Sequence, residues 1–167
     1  MPGVADDDAL TAFEMLLRAH HEVAFRLARA MLHDAVEAED VVQVGAIRAW
    51  RALSRGRKVD SERAWFLGIV ANECRSATRR RWWSVLRLAE PLQSKPSPHP
   101  DDSIDLRRAL ARLPHTQRVV IVLRYYLDLP YAEVGAISGL SEEAARARAH
   151  RALQSLKRQL SAAEVMP

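Results

Sequence analysis

The sequence predicts an all-α protein: two small helical domains joined by a proline-rich linker, the second containing a helix-turn-helix. Three observations carry this prediction. Apolar residues recur at three- and four-residue steps through most of the chain, the period of an amphipathic helix. No segment shows the strict alternation of a half-buried strand. Four of the eight prolines fall within residues 91–103 (PLQSKPSPHPDDS), where their missing donors and fixed backbone exclude a helix or a central strand.

Phe13, Leu16, Leu17, Val23, Leu27, Ala30 and Met31 predict one long helix over Thr11–Leu32. His33 and Asp34 interrupt it, and Asp34 is placed to cap the next helix. Val42, Ala46, Trp50 and Leu53 form the stripe of a second helix over Val36–Leu53. Ser54–Asp60 (SRGRKVD) is polar, contains Gly56 and reads as a loop. Ser61 caps a third helix with Trp65, Ile69 and Asn72 at four- and three-residue steps, ending near Trp83 or Leu86. After the linker come a short helix over Ile104–Leu113, a helix over Gln117–Leu127 capped by Thr116, and a turn at Asp128–Pro130. A short helix over Tyr131–Ser138, a tight turn at Gly139, and a last helix from Ser141 to Leu160 complete the chain. VVIVL at 119–123 is rich in β-branched residues, but the helical spacing around it favours helix. The domains then span 10–88 and 104–162, with the linker at 89–103.

The net charge of +4 conceals a sharper pattern. Residues 1–40 carry −6, residues 41–85 carry +7, residues 86–105 carry −2 and residues 106–167 carry +5. Two basic blocks parted by an acidic stretch predict two anion-facing surfaces. Arginine supplies 22 of the 25 basic residues, and its planar fork suits phosphates and base edges. Several classes drop out. The lone Cys74 excludes an intrachain disulfide and a cysteine-based zinc site. No apolar run is long enough to cross a bilayer, and the acidic N-terminus is unlike an export signal, so a cytoplasmic protein is expected. The six histidines show no HExxH spacing, and no local catalytic grouping is visible. No enzyme activity, cofactor or metal is expected. Cys74 reads as a core residue.

The last two helices have the parts of a DNA reader: a short helix, a glycine turn and a basic second helix. Val134, Ile137, Leu140, Ala145 and Leu153 are expected to face inward, and Arg146, Arg148, His150 and Arg151 outward. An ordinary helical hairpin with a solvated arginine face has the same composition. In the first domain, Trp65, Phe66, Trp82 and Trp83 accompany Arg75, Arg79, Arg80 and Arg81. Aromatics beside cations suit single-stranded DNA, although Trp65 and Phe66 fit a core equally well.

Taken in order, EAEDVVQVGAIRAW, ERAWFLGIVANECRSATRRR, the proline-rich linker and RALARLPHTQRVVIVLRYYLDLPYAEVGAISGLSEEAARARAHRAL resemble the extracytoplasmic-function sigma factors of bacterial RNA polymerase. The resemblance covers about residues 11–160. It implies a first domain that binds the β′ clamp helices of core polymerase and reads the melted −10 element. It implies a second domain that reads the duplex −35 element, with the β subunit as a further polymerase partner. Asp40, Gln43, Ile47 and Arg48 match the clamp-binding motif. Arg57 and Lys58 of the loop, with Trp65, Asn72, Arg75, Arg79 and Arg80, match the −10 reader. Arg146, Arg148, His150 and Arg151 match the −35 reader, and Arg118, in the LPxxxR pattern, a phosphate contact. Promoter DNA, core polymerase and an anti-sigma protein are the implied partners.

Some residues depart from the family pattern. Val44 stands where an acidic residue is usual, and EEAARARAH differs from the common recognition segment. Gly135 and Ser138 replace Ala and an aliphatic residue. Those last two swaps remove apolar volume and predict a loosely packed helix-turn-helix. A regulator that binds duplex DNA without polymerase is the alternative reading.

Overall fold

In the computed structural model, residues 4–88 and 101–164 are described, with side chains over 7–81 and 106–161. The described chain is helical: α1 (Val4–Leu32), α2 (Ala35–Leu53), α3 (Glu62–Leu88), α4 (Asp101–Arg112), α5 (His115–Ile121), α6 (Tyr131–Ser138) and α7 (Glu142–Glu164), with a π-helical segment, Val122–Tyr126, after α5. The linker expected at 89–103 lies outside the described residues except for its last three, which belong to α4 rather than to the linker.

Local chemistry sets the joints. His33 takes a left-handed backbone (φ 59°) that stops α1. Asp34 Oδ1 then accepts from the Glu37 N–H at 2.9 Å and caps α2, satisfying one of the free donors at that helix start. Ser61 Oγ accepts from the Ala64 N–H at 3.4 Å, and Ser141 Oγ from the Ala144 N–H at 3.1 Å. The cap expected from Thr116 is not made. Helix α5 starts two residues earlier, at His115 behind Pro114, with no side-chain cap. Proline there presets the backbone angle and has no donor to lose.

α1, α2 and α3 pack as a three-helix unit around Leu16, Leu27, Met31, Val42, Phe66, Leu67 and Val70. Phe13 and Trp50 meet across it with ring centroids 5.4 Å apart. Cys74 is fully buried in the same core, and burial pushes its thiol up to about 12. A second unit is formed by α4–α7. The two units do not stay apart. Val119, Val120, Leu123, Val134, Ile137, Ala145 and Ala149 belong to the same apolar cluster as the first unit's core. A smaller cluster of Ala109, Leu113, Ile121, Ala152 and Leu156 seats α4 on α7.

In the helix-turn-helix, Val134, Ile137 and Ala145 face inward as expected, and Leu140 partly. Leu153 does not; it is 39% exposed. At about 100° per residue, Ala152 and Leu156 lie almost in line with Ala145, whereas Leu153 is turned about 80° away. Gly139 has a left-handed backbone (φ 68°, ψ 37°) and lets the Leu140 N–H reach the Gly135 carbonyl at 2.8 Å. Gly135 corrects the expectation of loose packing at that site. A Cβ there would lie 2.7 Å from the Leu140 carbonyl oxygen, so its small size permits a tight turn and leaves no void.

Candidate nucleic-acid interface

The outer face of α2 is a continuous exposed stripe. Val36, Asp40, Gln43, Val44 and Ile47 all lie on it, and Ile47 is 50% exposed. The spacing of three, four and seven places them on one side, opposite buried Ala38, Val41, Val42, Gly45 and Ala49. Arg48 sits at the edge of this stripe, exposed, and reaches across to α3. Its Nη1 is 2.9 Å from Oε1 of Glu73, a carboxylate only 2% exposed. The guanidinium therefore joins α2 to α3 and compensates a buried charge that would be costly alone.

A second surface runs along α3. Trp65, Asn72 and Arg75 project from one side, and Arg79 and Arg80 extend it as exposed side chains toward the linker end. The loop before α3 contributes Arg57, whose guanidinium lies 5.7 Å over the Trp65 ring, and exposed Lys58. Phe66, by contrast, is wholly buried. Trp82 and Trp83 lie outside the residues whose side chains are described. Arg81 pairs with Glu37 of α2.

The third surface is the outer side of α7. His150 and Arg151 lie near its centre, with His150 Nε2 3.0 Å from the Gln154 amide. Arg146 and Arg148 flank it on opposite sides, since positions i and i+2 of a helix are turned about 200° from one another. Arg146 pairs with Glu142 at 2.9 Å and lies 5.2 Å over the Tyr131 ring. Arg148 faces α3 instead. It shares a cleft of about 440 Å³ with Trp65, Asn72, Arg75, His115 and Gly139.

Arg118 has a different placement from a phosphate contact. It is 8% exposed. Its Nε donates to the Leu110 carbonyl at 3.0 Å, and its Nη2 to the Ala111 and Leu113 carbonyls at 2.7 and 3.2 Å. Its Nη1 approaches the Met31 carbonyl at 3.5 Å. Three of these carbonyls end α4, where intrahelical donors run out. Arginine's fan of donors caps them, so the motif spacing serves the fold. Beside it, His115 is held down at about 4, first by burial and then by the charges of Arg118 and Arg75, against the pull of a hydrogen bond with the Ala71 backbone.

Sequence reasoning missed several groups. Gln154 shares the outer face of α7, one turn beyond His150, a spacing legible in the sequence. Arg124 stacks 5.2 Å over Tyr131 and 5.8 Å over Tyr125. Arg63 Nε reaches Glu133 Oε1 at 3.1 Å from the other unit, and no sequence signal announces that long-range pair. Among the described residues no group of His, Cys, Asp or Glu could hold a metal. No described helix is long and apolar enough to cross a membrane.

Comparison with known proteins follows this division. Residues 16–84 match the family model of Sigma-70 region 2, and residues 103–156 match that of Sigma-70, region 4. The RNA polymerase sigma factor CarQ of Myxococcus xanthus is 34% identical, over 95% of this chain and 95% of its own. The ECF RNA polymerase sigma factor SigM of Mycobacterium tuberculosis is 29% identical, over 89% of this chain and 77% of its own. Among solved structures, the sigma factor RpoE bound to the anti-sigma factor NepR, from Bartonella quintana, superposes with a TM-score of 0.64. It is 26% identical and covers 92% of this chain and 97% of that one.

Proposed function

Given that the chain belongs to the extracytoplasmic-function group of the sigma-70 family, we propose that it binds core RNA polymerase and directs initiation at promoters with distinct −10 and −35 elements. The observation that carries this reading is the exposed stripe of α2. Asp40, Gln43 and Ile47 offer a carboxylate, an amide and an apolar side chain on one face, the mixture of a protein interface with an apolar centre and polar rim. A DNA-binding regulator that works without polymerase has no use for such a face.

Each DNA surface has its own chemistry. Trp65 offers a ring on which an unstacked base can lie, and Asn72 an amide that can pair with a base edge. Arg57, Lys58, Arg75, Arg79 and Arg80 supply phosphate partners along the strand. On α7, Arg146, His150 and Arg151 offer donors to guanine edges and phosphates of a major groove, whereas Arg148 is turned toward α3. Arg118 supports this unit from inside by holding α4 on it. Arg48 supports the polymerase face by tying α2 to α3. Since the similar RpoE was crystallised with an anti-sigma factor, an anti-sigma protein is the expected regulator here also.

Run-off transcription with purified core polymerase on genomic fragments tests the proposal. Discrete transcripts that require the chain are expected. Duplex binding with no core binding and no transcripts would favour the regulator instead.

A further inference from the structure

The cleft between α3 and the helix-turn-helix is lined by groups whose bonding capacity the fold leaves unused. Gly68 lies where α3 meets α6, and a Cβ on it would come within 3.1 Å of the Ile137 carbonyl oxygen. Its missing side chain lets the two backbones approach. Beside this contact the cleft has a volume of about 440 Å³, in the range of a small-ligand site. Its lining divides by chemistry. Trp65, Ile69 and Ile137 are aromatic or apolar, and Asn72 and Ser138 are neutral and polar. Arg75 and Arg148 are cationic, one from each unit, and no carboxylate lines the cleft.

Two observations point to a ligand. Neither Arg75 nor Arg148 has an ion-pair partner among the described residues. Two cations sharing a cavity without a counter-charge attract an anion, and their planar forks match phosphate oxygens. Ser138 Oγ is buried with no hydrogen-bond partner, a state that costs stability unless a group in the cleft bonds to it. The remaining polar and aromatic groups suit a base. Trp65 offers a ring for stacking. The Asn72 amide carries one donor and one acceptor, the complement of N7 and N6 of adenine.

We infer that this cleft binds an adenine nucleoside phosphate, with the base at Trp65 and Asn72 and the phosphates between Arg75 and Arg148. The Ser138 hydroxyl bonds the ribose or a phosphate oxygen. Arg148 and Ser138 belong to the second unit, so this site is more than the α3 surface alone. It shares Trp65, Asn72 and Arg75 with the surface proposed for the −10 strand, so nucleotide and single strand exclude one another. That consequence rests on the reading of α3 given above; the nucleotide site requires only the cleft.

The test is calorimetric titration of the full chain, without polymerase or magnesium, using ADP as the probe. One ADP per chain is expected, bound about tenfold or more tightly than adenosine, pyrophosphate or GDP, which each lack one set of contacts. ADP should also raise the Tm. Arg148→Ala should weaken ADP by about tenfold or more through loss of charge-assisted bonds. Ser138→Ala should weaken it by about threefold and leave the Tm of the free chain no lower, since it removes a hydroxyl that no protein group bonds. Arg51→Ala removes an exposed arginine of α2 outside the cleft and should leave ADP affinity unchanged. Ser138→Ala decides the matter should Arg148→Ala lose helicity. No binding at millimolar ADP would overturn the inference. So would pyrophosphate or GDP binding as tightly as ADP, or wild-type ADP affinity in the folded cleft variants. ADP is also expected to displace a fluorescein-labelled oligothymidine. Oligothymidine retained beside bound ADP would remove α3 as the seat of the strand and leave the nucleotide site standing.

Discussion

Arg118 shows how a motif position can carry a structural burden. Its guanidinium serves carbonyls at the end of α4 and of α1 in a largely buried site. Arg118→Met should leave several of these oxygens unpaired, at about 1–3 kcal/mol each before relaxation. A fall in Tm of roughly 6 °C or more is expected for a chain of this size. Salt titration of duplex binding by the folded variant should keep the wild-type slope, since no phosphate contact is lost. His115 makes a second prediction at this scale. It is buried within the field of Arg118 and Arg75, with Arg148 also lining its cleft. Its pKa falls from 6.5 to about 4 in the folded chain, so the neutral ring is the one the fold accepts. Stability from this site is complete above pH 6.5 and declines as pH falls toward 4, because the unfolded chain takes up the proton first. Thermal midpoints measured from pH 7 to pH 4 should fall more steeply for the wild type than for His115→Gln.

Among the elements, the helix-turn-helix is the most sensitive to added atoms. Gly135 faces the Leu140 carbonyl at a distance no Cβ can share. Gly135→Ala should destabilise the fold by about 1–3 kcal/mol through overpacking. Chemical denaturation followed by circular dichroism reads this directly. The sequence argument, which treats Gly135 as lost apolar volume, predicts the opposite sign for the same substitution. Residue volumes can be read from a sequence, but the distance between two backbones cannot. α7 teaches a similar lesson. Its arginines are obvious in the sequence, yet only the packing of Ala145, Ala149, Ala152 and Leu156 turns Arg148 toward α3 and leaves His150 and Arg151 facing out. The α2 stripe was legible in full at Asp40, Gln43 and Ile47. Arg48 was not, because its partner Glu73 lies 25 positions later on α3.

The whole molecule behaves as more than two beads on a tether. Val119, Val120, Leu123, Val134 and Ile137 from the second unit share a core with Leu27, Met31, Phe66 and Val70 from the first. Burial of apolar surface across the boundary couples the two units. Scanning calorimetry of the full chain is expected to show one transition, with equal calorimetric and van't Hoff enthalpies. Two resolved transitions would mean that the units melt independently.

The sequence by itself determined the all-helical class and the place of most helices, the caps at Asp34, Ser61 and Ser141, the glycine turn and the family. All of these depend on neighbours within a few residues or on composition, which a linear reading contains. Only the tertiary structure decided that the two units close on one another. It also decided that Arg118 faces inward, that the exposed Arg48 reaches the buried Glu73, and that Arg148 meets the surface of Trp65, Asn72 and Arg75. Those outcomes depend on contacts between residues far apart in the chain, where a missing methyl at Gly68 or a carboxylate at Glu73 selects which faces can meet.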